Sequence, residues 1–216
     1  MTKFAGMKRM LLSVVLLSAS WSGAVCQSVD SVFAQMPLEV LPLLERNPRL
    51  DMLDLYNYKI QAKAENVFGG SSVLLAKTED YLRLRLTEVS HWELKCLPLG
   101  EDRIYVCVHS LRSGATDSRI TLYTSDWKTM EPVTGFDCPP LQDFWQPADS
   151  ISEERRAELL AKLHPVHVEA CWSPDAPELN FSVSVSHLSS EDREDASRCL
   201  KPVVRRWNGS EMTEAR

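Results

Sequence analysis

Hydrophobic positions along this chain change period several times, and each change marks a different element. Met10 to Ala19 (MLLSVVLLSA) is an apolar run with no polar face. From Ser28 to Met36 the apolar residues Val29, Val32, Phe33 and Met36 fall at i, i+3, i+4 and i+7. That spacing predicts one helical face, with Ser28 as its N-cap and Pro37 as its stop. Leu38 to Leu50 is interrupted by Pro42 and Pro48 and reads as short turns, with a second short helix over Asp51 to Ile60.

From about Ala62 to Tyr123 the period is two. Leucine alternates with polar residues in Tyr81-Leu82-Arg83-Leu84-Arg85-Leu86-Thr87, and Trp92 to Cys96 alternates likewise. Such strands bury one face and wet the other, as in an antiparallel sheet. Ile104 to Val108 is apolar on both faces, and Arg119 to Tyr123 is a further strand. Gly69-Gly70, Glu79-Asp80 and Gly114 stand where hairpin turns belong.

Glu131 to Ser150 holds Pro132, Pro139, Pro140 and Pro147 beside Phe136, Phe144 and Trp145. It reads as an ordered connector lying over the surface. Ser150 and Glu153 have capping-box spacing and open a helix whose apolar face is Ile151, Leu159, Leu160 and Leu163. Val166 to Trp172 and Leu179 to Val185 read as strands, Ser189 to Glu194 as a capped helical turn, and Lys201 to Trp207 as a last strand. Gly209 onward reads as a frayed polar tail.

This order predicts an α+β fold, with a mainly antiparallel β-sheet and a few short flanking helices. The helices and strands fall into two groups that could be degenerate helix-plus-sheet halves. The organisation is then a single domain over 25–216, with a subdivision at 25–130 and 151–209 around the connector 131–150.

The N-terminus carries an address. Lys3, Lys8 and Arg9 precede the apolar run, and the small residues Ser22, Gly23 and Ala24 follow it. This is the three-part pattern of a secretory signal peptide over residues 1–24, cleaved after Ala24. The run is too short to span the roughly 30 Å of bilayer hydrocarbon as a helix. Cys26 offers an alternative, a lipid anchor, although Val25 stands where lipoprotein processing favours a small residue. No other apolar run is long enough for a transmembrane segment. Cleavage removes three of the 24 basic residues and none of the 30 acidic ones, taking the net charge from −6 to −9. Nucleic-acid binding rests on Lys and Arg neutralising phosphates, so no nucleic acid is expected as a partner.

Export permits disulfides. Six cysteines allow 15 pairings. Cys96 and Cys107 lie on two strand-like runs joined by a short turn, which makes them the candidate pair. No nucleophile elbow, P-loop, dinucleotide fingerprint or zincin motif occurs, and no cofactor is implied. His164, His167 and Cys171 come nearest to a metal set, but a polar strand face explains them better. His91, His109 and His187 read as structural. No residue is therefore assigned as catalytic or metal-binding. Of the mature tryptophans, Trp145 stands out, because it lies with Phe144 in the connector and loops carry function more often than cores do. Trp145 and Phe144 are the candidate ligand-binding residues.

Several runs resemble a known family: Asn47 to Met52 (NPRLDM), Thr78 to Leu82 (TEDYL) through Thr87-Glu88, Leu122 to Lys128 (LYTSDWK), Ser189 to Glu194, and Trp207-Asn208-Gly209. In their order they are similar to an exported Bacteroides-type protein family of unknown function, domain of unknown function 3256. The resemblance covers nearly the whole mature chain. It implies a periplasmic or outer-envelope location in a Gram-negative cell and brings no activity or site residues with it.

The function expected from these readings is a non-enzymatic binding or interaction module of the cell envelope, whose partner is a protein, peptide or glycan. A small hydrolase assembled around His109 or His167 with nearby acids is the alternative. A structural subunit of an envelope complex is a further one.

Overall fold

The period-two stretch folds into one antiparallel sheet, in which each strand pairs with the next. In the computed structural model the described residues are 27–131, 133–146, 148 and 150–215. The expected signal peptide, its cleavage site and Cys26 lie outside them. The strands are β1 (Lys63–Glu65), β2 (Ser71–Lys77), β3 (Tyr81–Thr87), β4 (Ser90–Leu99), β5 (Asp102–Ser113) and β6 (Ala115–Thr124), in sheet order β1-β2-β3-β4-β5-β6. A second antiparallel sheet follows, with β7 (Val168–Trp172), β8 (Glu178–Val183), β9 (Val203–Trp207) and β10 (Met212–Glu214) in the order β10-β9-β8-β7. The chain is thus a mainly antiparallel α+β fold with short helices.

Alternation in the large sheet decides what covers each face. Leu82, Leu84 and Leu86 of β3, with Trp92 and Leu94 of β4, point to one face. There they meet α1 (Val29–Gln35) and α2 (Arg46–Asn57). Ser28 caps α1 as expected, its side chain accepting from Ser31 N. The helix α2 begins earlier than the prolines suggest. Pro48 sits in its first turn, where backbone N–H groups have no intrahelical acceptor, so the ring costs nothing there. On the other face Tyr81, Leu97, Ile104 and Val106 join Val168, Trp172, Leu179 and Phe181 of the second sheet in one apolar cluster. Phe144, from the short helix α3 (Leu141–Phe144), is buried in the same cluster.

Three further elements differ from expectation. The helix α4 (Glu153–Lys162) is capped by Ser152, whose side chain accepts from Arg155 N, and not by Ser150. Starting at Glu153 places two carboxylates in the first turn, against the positive end of the helix dipole. The expected polar tail instead turns at Asn208 and Gly209 and adds β10 to β9, with Met212 buried. Gly135 (φ +89°) packs so closely on Met212 that any Cβ would overlap its backbone. The helix α5 (Ser190–Cys199) is capped by Ser189 and runs beyond the single turn predicted.

The second sheet meets the first through an unusual seam. The outer N–H groups of edge strand β7 donate to side chains of the large sheet. Val168 N reaches Asp117 Oδ1 (3.4 Å), Ala170 N reaches Ser118 Oγ (2.9 Å) and Trp172 N reaches Glu93 Oε2 (2.8 Å). Three acceptors from β4 and β6 therefore satisfy an edge that would otherwise stand open.

Candidate functional site

The helices do not cover the whole of their face. α2 packs against β1 and β2, which leaves the β5–β6 end of that face open beside the turn that joins α1 to α2. The opening is a groove of about 350 Å³. That size is at the lower end of small-molecule sites. Its apolar wall is Val40, Leu41, Leu43, Leu86 and Trp92. Its polar wall is His109, Arg119, Thr121, Tyr123 and Thr129.

Register creates this polar wall. Trp92 lies opposite His109, and His109 opposite Arg119, so the three form a row across β4, β5 and β6. The next row is Leu94, Cys107 and Thr121, and the one after is Cys96, Tyr105 and Tyr123. The turn after β6 closes one end. Trp127 adopts a left-handed conformation (φ 63°) and packs its ring on Tyr105 at 4.6 Å and on Tyr123 at 5.7 Å. Thr129 is thereby bridged back onto Tyr123. A non-glycine residue in that region is strained by order 1–3 kcal/mol, here opposed by the two ring contacts.

The electrostatics are simple. Arg119 is exposed and pairs with no carboxylate among the described residues. Among the described residues no Asp or Glu lines the groove. Burial lowers the His109 pKa, so its ring is neutral at pH 7. Its Nε2 is 2.8 Å from Ser90 Oγ, which fixes the imidazole. Ser90 is itself buried and does not line the groove, so this pair orients a histidine and presents no hydroxyl to a substrate. The Cys107 thiol is pushed well above its usual range by burial, with Cys96 adding to the shift, and stays protonated and unreactive. The groove can hold an acceptor or an anion and shield an apolar body. Among its described lining residues no hydroxyl or thiol is hydrogen-bonded to His109.

The residues expected to bind ligand sit elsewhere. Phe144 is wholly buried and anchors the connector in the core, so it offers no face to a ligand. Trp145 is half-buried, bridges to Leu200, and has the Arg156 guanidinium over its ring at 4.9 Å. Trp92, Trp172 and Trp207 are buried. The Cys96–Cys107 hairpin forms, but Cys96 stands opposite Tyr105 and Cys107 opposite Leu94. The two are diagonal neighbours, and no disulfide joins them. His167, Glu169 and Cys171 share a strand face but diverge. Glu169 pairs with Arg112 (2.7 Å), and His167 Nδ1 lies 3.7 Å from Asp117. No group of potential metal ligands converges among the described residues. No described helix is long and apolar enough to cross a membrane.

Sequence reasoning placed Arg119 on a strand and read His109 as structural without bringing the two together. The missing step was register. A tight turn at Gly114 sets Ser113 opposite Ala115, and counting back along both strands places His109 opposite Arg119.

The comparisons with known proteins agree with this architecture. Residues 22–212 match the family described as "Protein of unknown function (DUF3256)". A solved domain of an uncharacterized protein from Porphyromonas gingivalis W83 has the same fold, with a TM-score of 0.70 and 24% identity. The alignment covers 87% of this chain and 97% of that one. No curated protein matches the chain.

Proposed function

The chain belongs to the DUF3256 family, which carries no assigned activity, and from its own geometry we propose a non-enzymatic binding module of the cell envelope, with the β5–β6 groove as its site. The observation that carries this reading is the pairing of one uncompensated cation with an apolar wall. Arg119 and His109 stand side by side at one end, and Leu41, Leu43, Leu86 and Trp92 form the other. The matching ligand has an apolar body and a carboxylate. A hydrolase is disfavoured by the absence of carboxylates among the lining residues and by the protonated state of Cys107.

The test is calorimetric titration with N-acyl amino acids and their amides. The free acids bind and the amides bind at least tenfold more weakly. Arg119→Ala removes that preference without moving the melting temperature, because Arg119 is exposed and unpaired. Equal affinity of acid and amide, or no binding of either, overturns the assignment.

Export is part of the same proposal. It is supported by the basic, apolar and small-residue sequence of the first 24 residues. Expressed with its N-terminus in a Gram-negative host, the mature protein has the mass of a chain beginning at Val25. An unprocessed mass refutes export, and a lipidated one moves the anchor to Cys26.

A further inference from the structure

The opposite face of the large sheet holds a second polar feature, distant from the groove in topology. Four buried polar atoms without a protein hydrogen-bond partner fall on one face of three adjacent strands. They are Ser71 Oγ on β2, Arg83 Nε and Arg85 Nε on β3, and His91 Nδ1 on β4. Register makes them contiguous. Arg85 lies between Val73 and His91, two residues along from Ser71, and Arg83 is the next residue on that face. Buried polar atoms in folded proteins are nearly always hydrogen-bonded, so three atoms without a partner beside an Arg83 Nε held only by its ion pair with Glu93 need an explanation.

Their chemistry is one-sided. Both Arg Nε groups only donate, Ser71 can donate, and a histidine donates when Nδ1 carries the proton. Two of the acids nearby are already engaged, and a third, Glu65 on β1, stands exposed opposite Ser71. Glu93 accepts from Trp172 N, and its Oε1 is 3.3 Å from Arg83 Nε without the alignment of a hydrogen bond. Glu169 is paired with Arg112. The Arg85 side chain makes no ion pair or hydrogen bond among the described residues. The β7 edge packs mainly on β6, β5 and β4, and on β3 it covers Tyr81 more than Arg83, which is about one-third exposed. The site is thus a sheltered corner with an open side.

We propose that this corner binds a tetrahedral oxyanion, a phosphate or sulfate group, held by Arg83, Arg85, His91 and Ser71. The donors come from three strands spaced about 4.8 Å apart, which suits an anion offering several oxygens in different directions. The surrounding field has the right sign. The His91 pKa is lowered by burial and then by Arg112 and Arg83, with Glu169 opposing and Arg85 adding a smaller push. An anion that neutralises this field raises it again.

The test is NMR of the protein over residues 25–216, following the Arg Nε–H signals and the His91 ring. Sodium phosphate and sodium sulfate are titrated against sodium chloride at equal ionic strength. Phosphate or sulfate shifts the Arg83 and Arg85 Nε–H signals saturably and raises the His91 pKa, whereas chloride does neither. Arg85→Gln weakens binding about tenfold or more, the usual loss for one charge-assisted contact. Arg46→Ala, at an exposed position on α2 across the sheet, leaves it unchanged. Glucose 6-phosphate and a sulfated monosaccharide separate the sources. Tighter binding of an ester than of the free ion assigns a glycan- or lipid-borne group, and the reverse assigns the free ion. Equal effects of chloride and the oxyanions, or unaltered binding in Arg85→Gln, overturn the site.

Discussion

Arg49→Ala lowers the unfolding free energy by about 4 kcal/mol, read as a fall in the urea midpoint with unchanged slope. Arg49 is 2% exposed, yet carries a full charge. Its Nη1 donates to the carbonyls of Phe33 (2.8 Å) and Met36 (2.7 Å), and its Nε to Glu45 O (3.3 Å). It also lies 5.8 Å from the Phe33 ring centroid. The first two carbonyls belong to the end of α1, where the helix has no internal donors left. Charge-assisted hydrogen bonds contribute about 1.5–3 kcal/mol each, and they are not additive. Alanine removes all three and leaves the acceptors buried. For a domain of this size the midpoint of thermal unfolding falls by about 8–16 °C. Arg49→Lys recovers part of the loss, since one ammonium cannot match the spread of a guanidinium. A change below about 1 kcal/mol for Arg49→Ala would show that water replaces the side chain without cost.

Glu93→Leu costs about 3–5 kcal/mol, the loss typical of breaking one side of a buried ionic contact. It strands the N–H of Trp172 and removes the carboxylate beside Arg83. Glu93→Gln separates hydrogen bonding from charge, because its carbonyl still accepts from Trp172. Burial raises the Glu93 pKa, against the lowering effects of Trp172 N–H, Arg83 and Tyr81. Within the window from the usual glutamate range up to the raised value, the folded state holds a proton that the unfolded state has released. Stability from this group is therefore present at low pH and is lost as pH rises through the folded pKa. Chemical unfolding of the wild type across that window shows the decline, and Glu93→Gln flattens it. A flat wild-type profile through the same window would place the carboxylate in water, and a rising one would mean that the Trp172 N–H and Arg83 outweigh burial.

Alternation made the large sheet legible. Leucines at every second position of β3 and the turn at Gly114 are signals that survive without tertiary context. Helix starts were less legible where several residues could cap. Ser150 and Ser152 both precede the acidic turn, and only the second has its side chain on a backbone N–H. β10 was hidden because its three residues carry little pattern, and Met212 becomes apolar core only once Trp207 is beside it. The runs that resemble the family mark clamps of the fold. Arg49 holds α1. Asp80 reaches the buried Lys95, whose ammonium also meets Pro174 O and the Tyr81 ring. Ser189 caps α5, and Trp127 closes the turn beside the groove. The candidate sites have no such signature. Both are made by cross-strand neighbours far apart in sequence, and a list of motifs cannot contain them.

The three side chains that reach the β7 backbone also bear on how the chain comes apart. A β-strand with a vacant edge is a template for any other extended chain. Here Asp117, Ser118 and Glu93 occupy it, and all three arrive from the other sheet. The small sheet is therefore protected only while the large one is intact. A fragment beginning at residue 151 would present that edge bare, together with the apolar surface of Val168, Trp172 and Phe181, and would self-associate. Within the whole chain the same dependence ties the stability of the smaller sheet to that of the larger.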